Sequence, residues 1–332
     1  MKKILSFLVL FSICISFLSC RENGQKSNTV EKAVESKDKR VIPEFNADSA
    51  YYYIERQVAF GPRVPNTKAH KECAEFLINS LNRFADTVII QKAILQAFDG
   101  TKLNAQNIIG VFQPEKKKRI LLCAHWDSRP FADYDPNPDN FLKPIPGAND
   151  GASGVGVLME IARLISITKP ELGIDIIFFD AEDYGQHEKV DIQKEDTWCL
   201  GSQYWSKNPH KPDYYAKYGI LLDMVGAENA VFGKEGYSLY FAPTVVRKVW
   251  KTAQRIGYSK FFVDQETDYI TDDHYYVNSI RNIPCIDIIH YDPQTNHRFF
   301  PYWHTLKDNM DAISKETLKA VGQTLITVII EE

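Results

Sequence analysis

Four short runs, RILLCAHWD (119–127), IDIIFFDAED (174–183), YGILLDMVG (218–226) and IPCIDIIHY (283–291), are almost wholly apolar, and each contains or ends on an acidic or imidazole side chain. Strands that are hydrophobic on both faces belong in the middle of a sheet covered by helices on either side. Helical patterns separate the runs: GVGVLMEIARLIS (154–166), a stretch near 200–205, and TVVRKVWKTAQRI (244–256), with a last helix over 314–330. Toward the N-terminus, residues 69–84 place Cys73, Phe76, Leu77, Leu81 and Phe84 at the three-and-four spacing of an amphipathic helix. Residues 87–93 and 104–112 then read as strands. Alternating strand and helix predicts one α/β domain over 43–332, a three-layer αβα arrangement with a mostly parallel central sheet. Segments 128–149, 184–199 and 258–282, rich in Pro, Asn, Asp and aromatics, are expected to be long functional loops.

The first twenty residues, MKKILSFLVLFSICISFLSC, carry Lys2 and Lys3, an apolar run over 4–18 and a small residue before Cys20, the three parts of a bacterial export signal. The run is too short to span a bilayer comfortably. Cys20 is either the lipidated first residue of a mature lipoprotein or an incidental cysteine after an ordinary cleaved signal. The chain is thus expected to be exported, periplasmic or anchored to the outer membrane, with membrane contact only through Cys20. Residues 21–42 lack aromatics and are crowded with Lys, Glu, Ser and Asn, the composition of a flexible tether.

A net charge of −4 with mixed signs leaves no electrostatic footprint for nucleic acid. The basic run at 116–119 reads as a solvated turn. Of the cysteines after the signal, Cys73, Cys123, Cys199 and Cys285, none shows CxxC spacing, and Cys123 and Cys285 read as small core residues.

In open α/β sheets, ligands bind beyond the carboxyl ends of the strands, so the residues that terminate the apolar runs matter most. The first run ends in His125-Trp126-Asp127, with His125 and Asp127 on one side of an extended backbone. The loop GANDGASG (147–154) uses small residues to bend sharply before a helix and holds Asp150 at the sheet edge. The second run ends in Glu182-Asp183, the third reaches Asp223, and the last carries Asp287 ahead of a loop that closes on Trp303-His304. Catalytic zinc accepts Asp, Glu and His ligands and keeps one position open. Asp150, Asp183 and His304 suit that role and leave Glu182 beside the metal for proton transfer.

Plainer readings compete at each position. A single acid after an apolar strand is commonly a turn or helix cap; four strand ends behaving alike favour a site. His70, His187, His210 and His297 read as surface residues and His290 as a hydrogen-bonded core histidine. Trp126 and Trp303 suit a pocket wall or a core equally.

The segments AHWDSR (124–129), GANDGASG (147–154), FDAED (179–183), LLDMVGA (221–227), DDH (272–274) and FPYWHT (300–305) resemble, in order and spacing, those of glutaminyl cyclases, which share the fold of zinc aminopeptidases. The resemblance spans roughly residues 45–332. It implies one zinc held by Asp150, Asp183 and His304, Glu182 as general acid and base, and Asp223 and Asp272 as an acid network beside it. It also implies that Trp303 and Phe300 line the pocket, and Trp126 and Asp287 are further candidates there. The implied substrates are peptides or proteins with N-terminal glutamine, converted to pyroglutamyl ends with release of ammonia. Two positions depart from the animal cyclases: Asp183 stands where they carry Glu, and Asp287 where they carry His. Segment 184–198 does not match them, which leaves Trp198 as the candidate for their pocket tryptophan.

The rival reading is a two-zinc aminopeptidase, because His125 and Asp223 stand at that family's second-metal positions with Asp150 able to bridge. A non-catalytic binding module would be expected to show a broken ligand or acid/base set, and this sequence shows none.

Overall fold

The computed structural model describes residues 41–187, 192 and 194–332. The export signal, Cys20 and all but the last two residues of the tether lie outside them. Alternation within the quoted runs builds the layers. The central strands are β1 (Thr87–Gln96), β2 (Lys102–Phe112), β3 (Arg119–His125), β4 (Gly173–Phe179) and β5 (Gly219–Asp223). A short β6 (Phe232–Lys234) and β7 (Phe262–Glu266) form a separate two-stranded sheet, and β8 (Cys285–Ile289) completes the main one. The main sheet runs β1-β2-β4-β3-β5-β8. The four apolar runs form its parallel part, β4-β3-β5-β8, and the β1–β2 hairpin adds two antiparallel pairings on one flank. The sheet is therefore mixed, with the parallel part carrying the site.

Among the described residues eight α-helices pack around it: α1 (Ala47–Val58), α2 (Lys68–Leu81), α3 (Ala152–Thr168), α4 (Leu200–Lys207), α5 (Gly236–Phe241), α6 (Pro243–Arg255), α7 (Asp273–Ser279) and α8 (Lys315–Glu331). On β3, Ile120, Leu122 and Ala124 pack into the core built with α1, α3, α6 and α8. Leu121 and Cys123 point the other way, toward Trp205 of α4 and Val277 of α7. Fully burying each such leucine or isoleucine is worth about 1.5–3 kcal/mol, which is why both-sided apolar runs settle between two helical layers.

Two expectations change. Arg119 is no part of a solvated turn: it opens β3, is buried, and grips Asp175 through Nε–Oδ2 at 2.6 Å and Nη2–Oδ1 at 2.8 Å. Segment 258–282 is not an unbroken loop, since it holds β7 and α7. The start of α7 is fixed by Asp272, whose side chain accepts from the Asp273 N–H. The cysteines Cys73, Cys123, Cys199 and Cys285 are all buried and free.

Candidate metal centre and substrate pocket

The site is assembled where the parallel strands end. Beyond β3, the Asp127 carboxylate accepts the N–H groups of Glu182 and Asp183, both at 3.1 Å. On the other side of that turn, Asp180 accepts from the N–H groups of Gln106 at 2.7 Å and Ala181 at 2.8 Å, and pairs with His70 Nε2 at 2.9 Å. The 180–183 segment, with Ala181 at φ 54°, is thus pinned from both ends. His70 is consequently no surface residue but a buried anchor stacked on Trp126, with ring centroids 4.3 Å apart.

The GANDG turn is equally fixed. Asp308 accepts the N–H of Asn149 at 2.7 Å and of Asp150 at 3.1 Å. Gly151 adopts φ 100°, and a Cβ there would lie 2.3 Å from the Asp127 carbonyl oxygen. Glycine alone permits that approach.

These anchors bring Asp150, Asp183 and His304 together as a buried group able to hold a metal ion. His304 Nε2 lies 3.4 Å from Asp183 Oδ1 and 3.7 Å from Asp150 Oδ2. Zinc bonds of ~2.0–2.1 Å in a tetrahedron separate ligands by about 3.3–3.4 Å, close to these edges. Asp150 Oδ2 and Asp183 Oδ2 are buried with no hydrogen-bond partner. Such orphan acceptors call for a cation, and the donor set fits zinc. His304 Nδ1 faces Asp133 Oδ1 at 3.2 Å, which reserves Nε2 for the metal side. Asp133 is itself clamped by Arg129 at 2.9 and 2.6 Å. An Asp133→Ala variant is expected to bind zinc about 10–100-fold more weakly, measured by competition with a chelator; an unchanged affinity would remove Asp133 from the metal's support.

His125 and Asp223 also meet Asp150, as a second group able to hold a metal. Here the contacts are hydrogen-bond lengths: His125 Nε2 lies 3.1 Å from both Asp150 Oδ1 and Asp223 Oδ1. Burial works to lower the His125 pKa, but hydrogen bonds to Asp127, Asp150 and Asp223 outweigh it and hold the imidazole well above its ordinary value. His304 is the opposite case: burial and the Arg129 charge hold it below the ordinary value despite Asp133. A neutral imidazole is the ligating form.

Glu182 stands apart from the first group, its Oε2 3.7 Å from His125 Nδ1. Burial raises its carboxyl well above the ordinary range; His125 opposes the shift, and the neighbouring carboxylates Asp183 and Asp272 add to it. Burial likewise pushes Asp223 up to about 7 and raises Asp272. This is a carboxyl environment suited to holding and releasing a proton near neutrality.

A pocket of about 360 Å³ opens onto Asp150, Glu182, Asp183, Asp223, Asp272 and His304, walled by Trp198, Phe299 and Trp303. Trp303 stacks on His304 with centroids 3.7 Å apart, and Trp198 lies nearly parallel to the same imidazole at 5.9 Å. The lining differs from the sequence expectation at four residues. Trp126 is fully buried in the core against His70 and does not reach the pocket. Phe300 is buried behind the wall, packed with Met224 and Ile289, and its neighbour Phe299 takes the lining position. Asp287 is buried beneath Asp272 and is not part of the lining. His297, expected on the surface, packs against Trp303 in the pocket wall, with centroids 5.2 Å apart. Trp198 supplies a tryptophan wall from the segment where sequence could only suggest it.

The family model for peptidase family M28 matches residues 107–329, a span that includes every residue of the metal group. The chain belongs to peptidase family M28. Among solved structures, this M28 chain is 59% identical to Tannerella forsythia glutaminyl cyclase, with TM-score 0.86 over 87% of this chain and 100% of that one. It is 58% identical to a Zn-dependent exopeptidase from Parabacteroides distasonis, with TM-score 0.87 over 88% and 100% of the two chains. Among curated proteins it is 28% identical to aminopeptidase YwaD of Bacillus subtilis, over 71% of this chain. That alignment covers 46% of the Bacillus protein, so the M28 chain spans about half of that relative's length.

Proposed function

We propose that this chain is a zinc-dependent glutaminyl-peptide cyclotransferase that closes N-terminal glutamine of peptides or proteins to pyroglutamate. The observation that carries the reading is the grouping of Asp150, Asp183 and His304 around one open position, with Glu182 free beside it in a pocket walled by Trp198, Phe299 and Trp303. The 59% identity to a bacterial glutaminyl cyclase supports it. Zinc held by those three residues would supply a Lewis acid for the γ-carbonyl oxygen.

The protein's own groups do the rest. The α-amine attacks the γ-carbonyl carbon, the new C–N bond closes the five-membered ring, and the γ-amide nitrogen leaves as ammonia. Glu182 takes the proton from the attacking nitrogen and returns it to the departing one. Its raised pKa suits both transfers. Trp198, Phe299 and Trp303 wall the pocket in which the glutaminyl chain would be held folded, so that nucleophile and electrophile meet within one residue. The chain works beyond the cytoplasm in this reading, anchored at Cys20, on the support of the signal features in residues 1–20.

The second reading, a two-zinc aminopeptidase, is favoured by the His125, Asp150 and Asp223 group. Against it, the 59% identity to Tannerella forsythia glutaminyl cyclase favours the cyclotransferase reading. A mass assay on a Gln-initiated peptide separates the two: loss of one ammonia supports cyclisation, and loss of a whole residue overturns it.

A further inference from the structure

Cys199 has no role in the chemistry described so far, yet it touches the general acid twice. Its N–H donates to the Glu182 carbonyl oxygen at 2.9 Å, and the next residue repeats the pattern, Leu200 N–H to Ala181 O at 3.0 Å. Its Sγ lies 3.2 Å from Glu182 Oε1. The same sulfur is 4.0 Å from Asp272 Oδ1, so the thiol sits between the two carboxyls and bonds the nearer. A left-handed backbone at Cys199, φ 57°, immediately before α4, lets main chain and side chain reach one partner together.

We propose that Cys199 is a positioning residue for Glu182: its S–H donates to Oε1 and fixes the side-chain rotamer in which Oε2 stays available for proton transfer. Glutamate has three rotatable torsions, and the main-chain bonds around it restrain none of them. Without the thiol, the carboxyl is free to turn fully onto His125, whose Nδ1 is already 3.7 Å from Oε2. A proton carrier displaced by an ångström loses much of its rate without altering how substrate is held. Burial keeps the Cys199 pKa well above its ordinary value, so the group remains a thiol and a donor.

The inference rests on the cyclotransferase reading only for the identity of the reaction. The test uses the zinc-loaded full chain and its Cys199→Ala and Cys199→Ser variants, with kcat and KM measured on a Gln-initiated peptide. Both substitutions keep the main-chain bonds; alanine removes the donor, and serine restores one with a shorter reach. Cys199→Ala is expected to lower kcat about tenfold with KM within about twofold, and Cys199→Ser to recover most of the loss. An alanine variant as fast as the parent, or a serine variant no faster than alanine, would overturn the proposal. Should the parent leave the Gln-peptide intact but cleave leucine amide, the cyclotransferase reading fails, while the same kcat ratios on leucine amide still decide the role of Cys199. Crystal structures give a readout independent of turnover. The Glu182 carboxyl is expected to be displaced or split over two rotamers in Cys199→Ala and single in Cys199→Ser with Oγ on Oε1; an undisturbed Glu182 in the alanine variant overturns the role.

Discussion

A Glu182→Ala variant should bind zinc as tightly as the parent and melt at a similar temperature, yet turn over a Gln-initiated peptide about 10²–10⁴-fold more slowly. The size follows from its place in the pocket directly beside Asp183 but outside the Asp150, Asp183 and His304 group. Stability is expected to hold because burial disfavours the ionised side chain, as its raised pKa records. Removing it also relieves a buried carboxyl of its neighbours Asp183 and Asp272. Zinc content by atomic emission, a melting curve and kcat together check the prediction. Turnover within about threefold of the parent would take Glu182 out of the proton-transfer role, and loss of zinc would make it a ligand instead.

Chelation has the larger effect. Dialysis against a strong chelator is expected to abolish turnover and added zinc to restore it. Stability should follow the metal, because a ligand that binds only the folded chain at about a thousand times its Kd adds about 4 kcal/mol. The source of that stabilisation is visible in the site. Asp150 Oδ2 and Asp183 Oδ2 are buried without partners, and burial with the nearby Asp150 charge raises Asp183 well above the ordinary carboxylate range. A cation relieves both conditions at once. A chelated, zinc-free protein that kept its activity and its melting temperature would contradict the assignment.

The strand core was legible because its runs are apolar on both faces, and the cluster able to hold a metal because Asp150 lies in a glycine-rich turn, Asp183 closes an apolar run and His304 ends the loop that follows another. Alternation could also have excluded Trp126 from the pocket: if His125 points to the site, its strand neighbour points away, and Trp126 does lie in the core with Ala124. Phe299 and Phe300 could not be told apart, since the irregular loop carrying them has no period that assigns a face. Arg119 looked like the end of a basic turn because its partner Asp175 is 56 residues away. The supports Asp133, Asp308 and the His70–Asp180 pair escaped notice for the same reason. Each acts on a site residue, or on the backbone beneath one, from a segment remote from it or set in an irregular loop. Short α7 was hidden inside a polar stretch whose only signal was the Asp272 cap.

The most direct test of the whole account is a zinc-edge anomalous map from crystals of the zinc-loaded protein. One strong peak per chain is expected, about 2.0–2.2 Å from a carboxylate oxygen of Asp150, one of Asp183 and Nε2 of His304, with Glu182 outside bonding distance. A peak bonded to Glu182, two peaks sharing Asp150 with His125 and Asp223 around the second, or no peak at these residues would contradict it.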